Sequence, residues 1–130
     1  MTLHIAAITL VVPDYDEAIA FYVGTLGFAL VEDTALSPQK RWVRVAPPGR
    51  ADTCLILAKA ATDAQRARIG DQTGGRVFLF LATDDFERDH AALAARGVRF
   101  LEAPRSESYG RVAVFADPFG NRWDLVERRA

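Results

Sequence analysis

One cysteine, two histidines and no long apolar run: this 130-residue chain is defined first by what it has little of. A lone Cys54 cannot close an internal disulfide, which points to a reducing compartment. No apolar stretch reaches the roughly 20 residues needed to span a bilayer. The first residues carry neither the basic nor the apolar region of a signal peptide, so the expected location is the cytoplasm, with no membrane partner. Charge of one sign is also missing, with 16 basic residues set against 17 acidic ones. That balance argues against nucleic acid as a partner, because nonspecific binding rests on clustered Lys and Arg. Nor does it suggest an acidic surface tuned to cations. Phosphate loops, zinc motifs and a serine-nucleophile elbow are absent from the sequence.

What the chain does have is apolar content, at 50%, enough for one domain with a real core. It also has an internal repeat. Residues 5–12 read as an apolar strand broken by Pro13, then a helix opens at Asp14 and stops at Gly27-Phe28. About seventy residues later the order returns: a strand over 77–83, acidic residues at Asp84-Asp85, a helix, then Gly97-Val98. Asp14 precedes Glu17 by three, and Asp84 precedes Glu87 by three, a spacing that suits a reciprocal helix cap. Asp84 also stands thirteen residues before Gly97, as Asp14 does before Gly27.

Taken in order, the first helix presents Ala18, Ile19, Tyr22 and Leu26 at helical spacing. Strands are predicted over 28–32, 41–45 and 53–58, with turns at Ser37-Pro38-Gln39 and Pro47-Pro48-Gly49. Thr62 with Gln65 predicts a capped short helix inside a linker over 60–75, stopping at Gly70. The second half then offers a helix over 85–96 and strands over 98–102, 112–116 and 122–126. The expected class is α+β, two tandem βαβββ modules over 5–58 and 76–128.

Asp14, Ala18, Phe21-Tyr22 and Leu26-Gly27-Phe28, with the closing Asp117-Pro118-Phe119-Gly120-Asn121-Arg122-Trp123-Asp124-Leu125, carry a resemblance. Over about residues 5–127 the chain resembles the vicinal oxygen chelate superfamily, which includes glyoxalase I, extradiol dioxygenases, fosfomycin-resistance enzymes and bleomycin-resistance proteins. The resemblance implies one cup-shaped mixed sheet built from both modules, and a homodimer. Metal enzymes of this family place a His on strand 1, a Glu on strand 4, a His or similar on strand 5 and a Glu on strand 8. Here the corresponding positions are Ala7, then Cys54 or Ile56, then Phe78 or Val77, and Asp124. A catalytic divalent ion needs about three protein ligands. His4 falls on the opposite strand face from residue 7, and His90 shares a helix face with Phe86 and Leu93. No metal or other cofactor is therefore expected.

Strand alternation puts Thr9 and Val11 on the cup face with residue 7. On strand 5 it offers either Phe78, Phe80 and Ala82 or Val77, Leu79 and Leu81, two registers that the sequence leaves open. Arg122, Asp124 and Val126 face the cup from strand 8, leaving Trp123 and Leu125 for the helix side. An apolar cleft with an Arg and an Asp at one end suits a small organic ligand. The candidate ligand-binding residues are Thr9, Trp42, Cys54, Phe78, Phe80, Tyr109, Arg122 and Asp124. Tyr109 lies in a polar loop with Ser106, Ser108 and Arg111, fit to form a lid or rim. No basic partner can be placed beside Cys54, which reads as an inert thiol. Two other readings stand beside metal-free binding. One is a lyase or dioxygenase with a displaced metal site. The other is a structural module whose cup is plugged by Phe78 and Phe80, with Arg122 and Asp124 satisfying each other.

Overall fold

The computed structural model describes residues 2–129, which fall into two compact units dividing at Ile69/Gly70. That boundary lies inside the segment read as a linker. The first unit begins with β1 (Ala7–Val12), whose Leu10 and Val12 are fully buried. Pro13 ends it, and Asp14 takes extended dihedrals so that its carboxylate accepts from the Glu17 N–H at 2.8 Å. The helix α1 (Tyr15–Ile19) is shorter than its apolar stripe suggests. It widens into π geometry over Ala20–Thr25, where the Leu26 N–H reaches back five residues to the Phe21 carbonyl. The extra residue in this turn lets neighbouring Phe21 and Tyr22 both be buried, their rings edge to face at 4.9 Å. Gly27, at φ +88°, then closes the helix.

Strand β2 (Ala29–Ser37) runs five residues beyond the predicted end at residue 32. Its polar outer half carries no alternation signal because both faces are exposed there. Pairing with β3 (Lys40–Ala46) makes the strand, and Arg41 grips Asp33 with two hydrogen bonds of 3.1 and 2.7 Å. Strand β4 (Cys54–Lys59) lies antiparallel to β3 and parallel to β1, giving the order β1-β4-β3-β2. The short α2 (Asp63–Arg66) is capped by Thr62, whose hydroxyl accepts from the Gln65 N–H. Gln65 in turn accepts from the Ala61 N–H.

The second unit repeats this plan. β5 (Leu79–Ala82) pairs parallel with β9 (Arg122–Arg128), β8 (Gly110–Ala116) lies antiparallel to β9, and β6 (Arg99–Phe100) flanks β8. The strands thus form two hydrogen-bonded sheets, one in each unit. An additional strand, β7 (Arg105–Glu107), forms a hairpin with β8, so the polar loop expected there as a lid or rim is a ladder turning at Ser108-Tyr109. Gly110 at φ +153° is required at this ladder, since a Cβ would collide with the Glu127 carbonyl. Helix α3 (Phe86–Ala95) is capped by Asp85, which accepts from the Arg88 N–H at 3.1 Å. Asp84 pairs with the Arg88 guanidinium instead, and Glu87 reaches Arg111 rather than the cap, so the Asp84–Glu87 capping box does not form. Beneath β8 and β9, Phe86, Leu93, Phe115, Trp123 and Leu125 are buried. His90 sits between the Phe86 and Phe100 rings, a packed residue rather than a ligand.

Candidate ligand-binding site

The cap positions settle the strand registers. Thr9 precedes the capping Asp14 by five residues and pairs with Ile56; Phe80 precedes Asp85 by five and pairs with Asp124. On β5, Leu79 and Leu81 are half-buried while Phe80 is 68% exposed, which puts Phe80 and Ala82 on the open face. The choice that the sequence left open therefore falls on Phe78, Phe80 and Ala82. It also follows that the strand-4 counterpart of Asp124 is Ile56, not Cys54.

Asp124 lies on the same sheet face as Phe80, with Phe80 on one side and Val114 of β8 on the other. The middle of this face is buried, Val112, Ala116 and Val126 included, and it opens at the β5 edge, where Phe80 and Ala82 are exposed. Asp124 is only 7% exposed, and its Oδ1 has no hydrogen-bond partner among the described residues. Burial pushes its carboxyl above the usual Asp range. The nearby Arg105 opposes this, and the Glu102 carboxylate adds to it. Arg105 does not neutralise Asp124, because its Nε lies 3.0 Å from both Glu102 oxygens and its Nη1 is bound to Glu107. The mutual pairing of Arg122 and Asp124 weighed in the sequence does not form. Arg122 is exposed and directs Nη1 toward the Gly75 carbonyl at 3.4 Å. Phe78, half-buried, lines a cavity of about 80 Å³ with Arg122 and Asn121 at the foot of β5 and β9. Tyr109 is 43% exposed in the hairpin turn, where its carbonyl accepts from the Arg129 N–H.

The first unit's open face is different. Thr9 is exposed, and Trp42 shares its side of β3 with Arg44. Arg44 and Thr34 each donate to Glu32 at 3.0 Å, and Trp42 adds a third bond. These bonds, Thr34's foremost and then Arg44's, hold the Glu32 carboxyl below its ordinary range. Cys54 is 1% exposed, with Sγ donating to the Ala51 carbonyl at 3.2 Å and receiving Arg44 Nη1 at 3.6 Å. A basic group does stand beside this thiol, contrary to the sequence reading. The signal was available: alternation in Arg41-Trp42-Val43-Arg44 puts Arg44 on the Trp42 face, and only the β3–β4 register was needed to bring it to Cys54.

A family model for the glyoxalase/bleomycin resistance protein/dioxygenase superfamily matches residues 4–125. The chain belongs to this superfamily. An uncharacterized protein of Shewanella frigidimarina is 52% identical over 98% of this chain and 95% of its own length. Among solved structures, a superfamily member from Sphaerobacter thermophilus is 34% identical, covers 98% of each chain and superposes with a TM-score of 0.80. TnmS3, an antibiotic binding protein from a Streptomyces species, is also 34% identical over 98% of each chain, with a TM-score of 0.78.

At the positions where the resemblance puts metal ligands, this chain presents Ala7, Ile56, Phe78 and Asp124. One carboxylate among an Ala, an Ile and a Phe does not meet the ligand count of a divalent ion. Among the described residues no group of three or more His, Cys, Asp or Glu is placed to hold one. His4 is exposed ahead of β1. These side chains do not make up the ligand set of a divalent ion.

Proposed function

We propose that this chain binds a small organic molecule on the open sheet face of its second unit, without metal. The observation that carries the reading is Phe80, 68% exposed, beside the buried Asp124 with its unpartnered oxygen. An apolar surface next to one directional polar group gives a ligand both burial and orientation. Phe80 stands free of packing, which speaks against a sheet face plugged by its own aromatics. The likeness to TnmS3 supports an antibiotic or similarly sized organic compound as the ligand class. Phe78 and Arg122 lie along the same face toward the foot of the strands, and Tyr109 stands at the hairpin turn. On the first unit, Thr9 and Trp42, with the missed Arg44, offer a second apolar and polar surface. Cys54 is too deeply covered to take part. The working form proposed is a homodimer, on the strength of the superfamily likeness, in a reducing cytoplasm, which the single Cys54 suits. Light scattering on the purified protein tests the dimer.

Thermal melting against a library of aromatic and polycyclic compounds tests the binding. A ligand at about 100 times its dissociation constant adds about 2.7 kcal/mol to stability, a readily measured shift. The shift should persist in a chelator. A library that leaves the melting temperature unchanged, or shifts that appear only with added divalent metal, would overturn the reading.

A further inference from the structure

We propose that the ligand carries a protonated amine, seated against Asp124 with its apolar ring on Phe80. This rests on the binding reading above and names the chemistry it selects. Asp124 is built into the sheet with one oxygen unanswered, on a strand whose other buried side chains are packed. A buried acceptor left open calls for a donor, and the charges around it choose which donor. Three carboxylates, those of Asp124, Glu102 and Glu107, share the single guanidinium of Arg105, which is already committed to the two glutamates. Arg122, on the same face, turns away to the Gly75 carbonyl. Arg99 and Arg128, which the ladders also put on this side, stand in the rows of Ala116 and Gly110 rather than that of Asp124.

The charges in immediate reach of Asp124, Glu102 and Glu107 against Arg105 alone, therefore leave an acidic excess at the carboxyl itself, although the whole chain stands at only −1. An anionic ligand would be repelled here. A neutral hydroxyl would answer the hydrogen bond but not the charge. An ammonium answers both, and the exposed Phe80 ring beside it can stack on the ligand's flat framework or face the cation itself. Val114 and Ala82, flanking on β8 and β5, add apolar contact beside the carboxyl.

Two probes of one shape make the test, 2-naphthylmethylamine and 2-naphthylmethanol, titrated calorimetrically into the full chain at neutral pH and low salt. The amine should bind the wild type about tenfold more tightly than the alcohol. In Asp124→Asn that preference should collapse to within about twofold, while Phe80→Ala should weaken both probes alike. Melting curves of both variants establish that they fold. Equal binding of the two probes, or an amine preference that survives Asp124→Asn, overturns the amine assignment while leaving binding at this face intact. If neither probe nor any library compound binds, both the assignment and the binding reading fall.

Discussion

The two units run the same strand plan and use it differently. Where the first unit places Thr9, Ile56 and Arg44 side by side, the second places Phe80, Asp124 and Val114. In the first, the charges are closed on each other: Arg44 is held by Glu32, and the Cys54 thiol is covered by Arg44 and Ala51. In the second, the apolar ring is exposed and the carboxyl is buried, with one oxygen unpartnered among the described residues. A ladder prescribes which positions face together, but the residue types decide whether that face is finished or waiting for a ligand. The exposed aromatic and the orphaned oxygen make the second unit the better candidate.

Four comparisons would break or sharpen this contrast. The largest concerns the hidden sides, where Leu55 of the first unit corresponds to Trp123 of the second. Trp123 stacks on Phe115 at 5.8 Å and is 3% exposed, so Trp123→Ala should cost about 3–5 kcal/mol in urea denaturation. A loss below about 1 kcal/mol would mean that this core is looser than its burial implies.

Next is Asp124→Asn. Relieving a buried carboxyl of its charge should raise stability at neutral pH by about 1–2 kcal/mol. The sign with pH is opposite to that of a salt-bridged acid. Because the folded carboxyl sits above its ordinary value, folding takes up a proton. The wild type is thus favoured below about pH 4 and loses that advantage as pH climbs through the folded value. The variant should lack this slope, and denaturation midpoints across pH will show it.

The caps come third. Asp85→Ala should cost about 1 kcal/mol, whereas Asp84→Ala should leave the melting temperature unchanged, since Asp84 holds only an exposed pair with Arg88. The reverse result would move the second unit's register by one residue and turn Phe80 away from the open face. Smallest for stability is Phe80→Ala, which should change melting by less than about 0.5 kcal/mol because the ring is exposed. Its effect belongs in ligand titrations, and a large stability loss would mean that the ring is structural.

The repeat was legible because it is written in local chemistry. Asp14, Gly27 and Gly97 mark helix ends wherever they occur, and the Thr62–Gln65 cap formed as its spacing predicts. Alternation placed Thr9, Arg122 and Asp124 on one side of their strands and sent Trp123 and Leu125 to the other. It could not choose between Asp84 and Asp85, because two adjacent acids satisfy the same spacing rule. The outer half of β2 and the whole of β7 were missed for a related reason: exposed on both faces, they exist by pairing with β3 and β8. The π turn was missed as well, since only the packing of two adjacent aromatics calls for it.

By itself, then, the sequence determined the class of fold and the family, because caps, periodicity and residue identity are properties of short stretches. Tertiary structure alone decided which face Phe80 takes, that Arg105 is consumed by Glu102 and Glu107, and that Asp124 keeps one oxygen free. Those outcomes depend on ladder registers between strands far apart in the chain, and a register is decided by the packing of the whole sheet.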